Sequence, residues 1–292
     1  AVAIVNGRLS ERSFRGYHRL RWMIAPLLRR LSLVAAQTSE YADRFERLGV
    51  PADCLRVTGT LKFDGVETDR ENARSRQLRR LAQLDDSAPV FMAGSTCDGE
   101  EPIVLDAYQK LLDEFPTLQL ILVPRHPDRF ESVARLLDDR RLSFVRRSQL
   151  DAKDEAAQQQ VILVDTIGEL TDWWALADVA FVGGSLASGR GGQNMIEPAA
   201  YGAAVCFGPD TGNFRDVVEN LLARDAAVVV HHAEELTAFV RQMLSDRAAA
   251  AARGARAAEY VAGGRGATIR TVDALETIRT ARVQATPLRP AA

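Results

Sequence analysis

The sequence predicts an α/β fold built on parallel sheets, and three observations predict it. Short apolar runs alternate with amphipathic helical stretches along most of the 292 residues, the order that βα units require. Leu118 to Val123 is apolar throughout, as expected of a strand covered on both faces. Phe181 to Pro198 joins the end of a buried strand, Val179 to Val182, to a glycine-rich turn. Gly191 and Gly192 are expected to open a helix that carries Asn194 and Glu197 on one face. Glycines let the backbone approach a ligand closely. A helix start offers free N–H groups to an anion, and a carboxylate there can accept hydrogen bonds from a diol such as a ribose. The expected ligand is phosphorylated and rich in hydroxyls, held at the carboxyl end of the sheet.

Composition narrows the class. The length fits roughly two domains of ~150 residues each. Apolar residues at 47% and charged residues at 26% are ordinary for a soluble globular chain. A net charge of −2 gives no global case for nucleic-acid binding. Cys54, Cys97 and Cys206 are far apart and odd in number, which favours a reducing compartment over a disulfide framework or a zinc site. His18, His126, His231 and His232 show no metal-ligand spacing. No apolar run reaches ~18 residues, so no transmembrane helix is expected. The chain opens inside a strand and without Met, the look of a fragment whose first α/β domain is incomplete.

In order, Ala1 to Val5 reads as a strand and residues 16 to 31 as a helix, with Leu20, Met23, Ile24, Leu27, Leu28 and Leu31 on one side. Pro26 is expected to kink or split that helix. Its other face is basic, with Arg8, Arg12, Arg15, Arg19, Arg21, Arg29 and Arg30 against Glu11 alone. With Trp22 at its middle it suits an anionic membrane surface; a packed surface helix with a solvated charged face fits as well. Strand Leu33 to Ala36, a helix from Glu40 to Leu48 capped by Gln37-Thr38-Ser39 and ended by Gly49, and strand Leu55 to Thr58 follow. Residues 65 to 87 are highly charged and suit a linker with a helix over Ser75 to Leu84, hence a domain boundary.

A second α/β stretch starts at Pro89, with strands expected at 89–94, 118–123, 143–145, 161–164, 179–182, 204–208 and 227–230. The helices between them include one opened by Glu101-Pro102 and one with Trp173-Trp174, read as core before stacking site. A charged, Gln-rich loop covers 148 to 160, residues 247 to 282 read as helix broken near Gly263-Gly264, and the tail from Pro287 reads as disordered.

Several residues are candidates for a site. Arg125 follows a buried strand between two prolines and can bind a phosphate bidentately; pairing with Asp128 or Glu131 is the plain alternative. Ser95 and Thr96 can serve a ligand or cap a loop. The acidic run Asp98, Glu100, Glu101 argues against phosphate there and suits a polyhydroxylated or cationic group. Ile167, Gly168 and Glu169 precede a helix, where backbone groups can read a base edge; a glutamate at a helix start is equally dipole chemistry. Lys62 follows the last strand of the first half, and Asp210 to Asn213 can be a turn and cap. No P-loop, no acidic pair for a bridging metal and no Ser-His-Asp arrangement is present.

These segments together resemble one family. Val5-Asn-Gly-Arg-Leu-Ser-Glu-Arg-Ser13, Gly59-Thr-Leu-Lys-Phe-Asp64, Gly94-Ser-Thr, Glu100-Glu101 and Val123-Pro-Arg-His-Pro127 are similar in order and spacing to the 3-deoxy-D-manno-oct-2-ulosonic acid (Kdo) transferases. So are Gly168-Glu-Leu, Phe181-Val-Gly-Gly-Ser185, Gly191-Gly-Gln-Asn-Met-Ile-Glu-Pro198 and Gly208-Pro-Asp-Thr-Gly-Asn-Phe214, and the likeness runs to about residue 265. The resemblance implies the GT-B fold, two Rossmann-like domains facing across a cleft, the N-terminal one incomplete here. Residues 1–66 would be its remainder, 67–87 a linker, 88–265 the donor-binding domain and 266–292 a C-terminal helix and tail.

The resemblance also implies an inverting, metal-independent transfer of Kdo from CMP-Kdo to a lipid A precursor at the cytoplasmic face of the inner membrane. No cofactor beyond the donor is implied, and no nucleic acid. Pro124-Arg125, Ile167-Gly168-Glu169 and Asn194-Met195-Ile196-Glu197 match the family's CMP-binding segments. Arg125 and the helix after Gly192 would meet the phosphate, Glu197 the ribose, and residues 167–169 the cytosine. Lys62, Ser95 and Thr96 fall in motifs lining the cleft and would meet the sugar carboxylate or its hydroxyls, with Gly191 and Gly192 lining the same cleft. Gln193 stands where relatives often have His. The family's catalytic base and membrane-anchoring segment belong to the part of the N-terminal domain that this sequence lacks, so no base is assigned in it. Two other readings are a GT-B enzyme acting on a UDP-sugar, which would not share the Pro-Arg-His-Pro and Asn-Gly-Arg-Leu-Ser motifs, and a nucleotide-binding fragment without catalysis.

Overall fold

The computed structural model describes residues 1–85, 87–150, 160–186 and 189–285. Most of the loop expected at 148–160, the tail from Pro287, and Ala187 and Ser188 of the glycine-rich turn lie outside the described residues. Contacts divide the chain into two units, 1–65 with 262–292, and 66–261.

The first unit carries β1 (Ala3–Gly7), α1 (Glu11–Arg19), α2 (Arg21–Leu28), β2 (Leu33–Ala36), α3 (Ser39–Leu48) and β3 (Leu55–Val57). Its strands form a parallel sheet in the order β1-β2-β3. Leu9, Phe14, Val34, Phe45, Leu48 and Val50 pack as its core. The Thr38 hydroxyl accepts the Tyr41 N–H at 3.2 Å, and Gly49 ends α3 at φ +118°, both as the sequence predicts. Asn6, itself at φ +53°, ties the strand ends together. Its side-chain oxygen accepts from Gln37 Nε2 at 2.9 Å and from the Leu61 N–H at 3.4 Å.

The helix expected over 16–31 is two helices. The Ser10 hydroxyl accepts the Ser13 N–H at 3.2 Å and starts α1 at Glu11, ahead of the apolar stripe. The break falls at Leu20, whose N–H turns back to the Tyr17 carbonyl at 3.0 Å, while Pro26 lies inside α2. The apolar face is packed only in part, with Leu28 and Leu31 against the core. Trp22 is 78% exposed, and Leu20, Met23 and Leu27 are exposed too.

The second unit begins with α4 (Ala73–Leu81), then β4 (Val90–Thr96), α5 (Glu100–Leu112), β5 (Gln119–Pro124), α6 (Phe130–Asp139), β6 (Phe144–Arg146), α7 (Arg147–Leu150) and β7 (Val161–Leu163). It continues with α8 (Leu170–Trp174), β8 (Val179–Val182), α9 (Ile196–Ala200), β9 (Ala204–Phe207), α10 (Arg215–Ala223), β10 (Ala227–Val229), α11 (Ala233–Ser245) and α12 (Arg247–Gly263). Its seven strands form one sheet, β10-β9-β8-β4-β5-β7-β6, all parallel. The chain leaves β4 for β5 on one side and returns through β8 on the other. The order therefore reverses at the β4–β8 seam, and a crevice opens at the carboxyl ends there. Gly183 makes the seam close, since a Cβ on it would lie 2.6 Å from the Ser95 carbonyl oxygen.

Trp173 and Trp174 are both buried, and a Cβ on Gly94 would run into the Trp174 ring. Residues 67–87, expected as a linker, pack into this unit. Leu78 and Leu84 are buried, and the Arg70 guanidinium donates to the Ala175 carbonyl at 2.9 Å and to that of Ala177. The last helix, α13 (Ala267–Ala285), follows the break expected near Gly263 and belongs to the first unit instead of standing apart. Asp64 caps it, accepting the N–H groups of Gly266 at 2.7 Å, Ala267 at 3.2 Å and Thr268, while Arg270 Nε donates to the Thr58 carbonyl at 2.9 Å. No helix among the described residues is long and apolar enough to cross a membrane.

Candidate functional site

The floor of the crevice is built around two buried carboxylates at the start of α5. Glu100 accepts four backbone N–H groups, from Cys97 at 2.8 Å, Gly184 at 2.7 Å, Ser185 at 3.0 Å and Leu186 at 2.8 Å. Glu101 accepts the Thr96 hydroxyl at 3.0 Å and Arg129 Nη2 at 2.9 Å. Both side chains are fully buried, so they serve the fold and do not meet the polyhydroxylated or cationic group expected for them. Thr96 is thereby a loop-capping residue. Ser95, beside it, is buried at φ +56°.

The glycine loop after β8 differs from expectation. The N–H of Gly191 donates to Asp210 Oδ2 at 2.8 Å, that of Gly192 to the Gly184 carbonyl at 2.9 Å and that of Gln193 to the Gly183 carbonyl at 3.2 Å. These amides are committed within the protein and do not form the open anion cradle. The helix also starts later, at Ile196, and α9 runs five residues only. Asp210 to Asn213 do more than turn the chain, since Asn213 Nδ2 donates to the Arg190 carbonyl at 2.8 Å and helps hold the loop.

Asn194 and Glu197 are brought together all the same, one ahead of the helix and one inside it. Asn194 Nδ2 donates to Glu197 Oε1 at 2.8 Å, and Asn194 Oδ1 accepts the Ile196 N–H at 3.1 Å. The Thr171 hydroxyl donates to Glu197 Oε2 at 3.4 Å. Burial pushes the Glu197 carboxyl up, with Asn194 and Thr171 pulling it part of the way back. Met195 and Ile196, expected among the CMP-binding residues, are buried whole in the core, and the Ile196 N–H is taken by Asn194, so neither presents a group to a ligand. Pro124 is likewise buried.

Arg125 is exposed at the end of β5. Its backbone N–H donates to the Thr96 carbonyl at 2.9 Å, and its Nε to Gln193 Oε1 at 3.1 Å. The partner is Gln193, neither Asp128 nor Glu131; Glu131 pairs with Arg146 at 2.9 Å. At the neighbouring loop Glu169 is held bidentately by Arg147, Nε at 3.0 Å and Nη2 at 2.9 Å, and by the Thr166 hydroxyl at 2.6 Å. That carboxylate is occupied. The exposed turn at Ile167, 80% accessible, and Gly168 at φ +90° present backbone outward.

Residues 1–65 match the family described as 3-Deoxy-D-manno-octulosonic-acid transferase (kdotransferase). The 3-deoxy-D-manno-octulosonic acid transferase of Haemophilus influenzae is 36% identical over 274 residues, 94% of this chain. A crystal structure of the C-terminal CMP-Kdo binding domain of WaaA from Acinetobacter baumannii is 32% identical with a TM-score of 0.59, covering 64% of this chain and 95% of that domain. The chain belongs to the 3-deoxy-D-manno-octulosonic acid transferase family. It spans 63% of the length of the Haemophilus transferase. Anabaena HepE, in complex with UDP and glucose, superposes at a TM-score of 0.50 over 95% of this chain and 71% of its own with 15% identity, a likeness of fold alone. That fold is GT-B.

In the second unit of this family member the candidate residues are tied to neighbouring loops. Arg125 is bonded to the glycine loop through Gln193, and Glu197 to α8 through Thr171. Lys62 lies in the first unit, in the turn Leu61–Phe63, with its N–H 3.4 Å from the Thr60 hydroxyl. Sequence reasoning passed over Arg147 and Arg190, and it gave Glu100 and Gln193 no structural role. Arg190 carried a visible signal, a charged side chain among glycines 189, 191 and 192, but that stretch was read for its backbone. Among the described residues no group of three or more His, Cys, Asp or Glu is placed to hold a metal ion.

Proposed function

We propose that the protein transfers Kdo from CMP-Kdo to a lipid A precursor, with inversion and without a metal, and that its second unit holds the donor. The observation that supports this is that Arg125, Gly168 and Glu197 follow β5, β7 and β8, three strands of one parallel sheet whose order reverses beside them. The Acinetobacter domain that this chain matches at 32% identity is a CMP-Kdo binding domain, which favours CMP over UDP as the nucleotide.

In this reading the Glu197 carboxylate accepts the ribose hydroxyls and Asn194 orients it. The backbone at Ile167 to Glu169 reads the cytosine edge, stiffened by the Arg147 pair on Glu169. Arg125 faces the phosphate. As the bond from the anomeric carbon to the phosphate oxygen breaks, CMP leaves with the electron pair and the carbon becomes oxocarbenium-like. A guanidinium already oriented stabilises the negative charge that develops on the phosphate. An acceptor hydroxyl attacks from the opposite face, loses its proton to a base, and inverts the centre. Ser95 is proposed to meet the sugar. The Arg-rich surface of α1 and α2, with Trp22, Met23 and Leu27 exposed, is proposed to rest on the cytoplasmic face of the inner membrane, where the lipid acceptor lies.

The test is calorimetry with CMP, UDP and cytidine, followed by a transfer assay with CMP-Kdo and lipid A precursor. CMP should bind most tightly, and Arg125→Ala should cut turnover by roughly 10²-fold, as does loss of one oxyanion donor. Preference for UDP, or wild-type turnover by the variant, would overturn the assignment. Sedimentation with anionic vesicles tests the membrane surface: Trp22→Ala with Arg19→Ala and Arg29→Ala should weaken binding.

A further inference from the structure

The donor edge holds two arginines that no carboxylate among the described residues pairs with. Arg125 and Arg190 are both exposed, and each is oriented by one neutral side chain. Arg125 Nε donates to Gln193 Oε1 at 3.1 Å, and Arg190 Nη1 donates to His126 Nε2 at 2.9 Å. Arg125 and His126 are neighbours in sequence, and Arg190 and Gln193 belong to one loop. The two bonds therefore tie the end of β5 to the glycine loop and bring both guanidinium groups to one stretch of the crevice.

Three further observations support a ligand role. The other arginines at this edge, Arg129 and Arg147, are each neutralised by a carboxylate, Glu101 and Glu169, at 2.9 Å. The Arg190 backbone is fixed by the Asn213 bond to its carbonyl at 2.8 Å and the Asp210 bond to the next N–H at 2.8 Å, so only its side chain is left to move. Burial raises the Cys97 thiol while Arg190 and Arg125 both oppose that rise, which puts both cations within electrostatic reach of the end of β4. Two like charges held together repel, and a ligand with two anionic groups relieves that repulsion.

Resting on the donor reading above, we infer that Arg190 is a specificity-determining residue, its guanidinium pairing with the carboxylate of an acid sugar while Arg125 pairs with the phosphate. In a 2-ulosonic acid the carboxylate sits on the anomeric carbon that also bears the phosphate, so two adjacent guanidinium groups match it. A neutral sugar nucleotide leaves the second one unpaired. His126 acts as a positioning residue, accepting from Arg190 in its neutral form.

The experiment is calorimetry of the chain with CMP and with CMP-Kdo. Arg190→Ala should leave CMP affinity within about twofold and weaken CMP-Kdo about tenfold, the loss of one charge-assisted pair. Arg125→Ala should weaken both ligands. His126→Ala should follow Arg190→Ala with a smaller loss, and Arg190→Lys should recover part of the CMP-Kdo affinity. Equal losses toward CMP and CMP-Kdo in Arg190→Ala would make Arg190 a second phosphate arm, and no loss toward either would remove it from the site; both overturn the inference. A wild-type chain that fails to bind CMP at all would sink the donor reading itself, and this inference with it.

Discussion

The Glu100 carboxylate accepts the Gly184 N–H at 2.7 Å from across the β4–β8 seam, 84 positions away in sequence. Three more N–H groups, of Cys97, Ser185 and Leu186, converge on its two oxygens. The turn directly after β8 is thus filled by one carboxylate of the protein's own, and the Gly191 N–H, at the helix start that the sequence offers as an anion site, is taken by another, Asp210. The nest fixes the start of the loop that further along carries Arg190 and Gln193, the partners of His126 and Arg125.

Glu100→Gln should therefore be costly although it is nearly isosteric. An amide can accept at one end only, and its NH2 would face two of the N–H donors. Each buried donor left unpaired costs about 1–3 kcal/mol, so a loss of roughly 2–6 kcal/mol is expected. Urea denaturation measures it, and a variant within about 1 kcal/mol of wild type would show that the carboxylate is dispensable.

Arg129 and Glu101 form the other buried contact of this floor, Nη2 to Oε2 at 2.9 Å, with Arg129 Nη1 reaching Asp98 at 2.5 Å. Burial pushes the Glu101 carboxyl up, and the Arg129 guanidinium holds it back. Removing only the arginine strands a buried carboxylate, which costs about 3–5 kcal/mol. Arg129→Ala is expected to lose that much, and adding Glu101→Gln to it should restore part of the stability. A double variant less stable than Arg129→Ala would contradict the pairing.

How far the sequence could show this differs element by element. Strands Leu33 to Ala36 and Val179 to Val182 are found at the residues expected, because short apolar runs bounded by polar residues mark covered strands. The position of Arg125 at the end of β5 was legible for the same reason. The start of α9 was not. It depends on the Gly191 N–H meeting Asp210, 19 residues on, and on the Gly192 N–H meeting Gly184 across the loop. Those bonds use up the amides that a helix from Gly192 would have offered. The break at Leu20 was hidden by Pro26, the stronger local signal, and the packing of α13 on the first unit depends on Asp64, some 200 residues earlier. The roles of Glu100 and Arg147 were illegible for the same reason, since each is defined by partners distant in the chain.

Glu197 sets stability against binding, and pH separates the two. Burial raises its carboxyl above the ordinary value of 4.5, and the bonds from Asn194 and Thr171 recover part of that. A carboxyl raised by folding supplies stability that is fully present below its unfolded value and is lost as pH rises through its folded value. Wild type should thus lose stability over the window from 4.5 upward. Glu197→Gln should not, because its oxygen can still accept from Asn194 and the Thr171 hydroxyl can turn to accept from its amide. At neutral pH the variant is expected to be the more stable protein. Its CMP affinity should nonetheless fall about tenfold, since an amide accepts one ribose hydroxyl where a carboxylate accepts two. Denaturation midpoints across pH for both proteins, with CMP calorimetry at neutral pH, decide it. Parallel stability profiles would refute the buried-carboxylate argument, and unchanged CMP affinity would take Glu197 out of the ribose site.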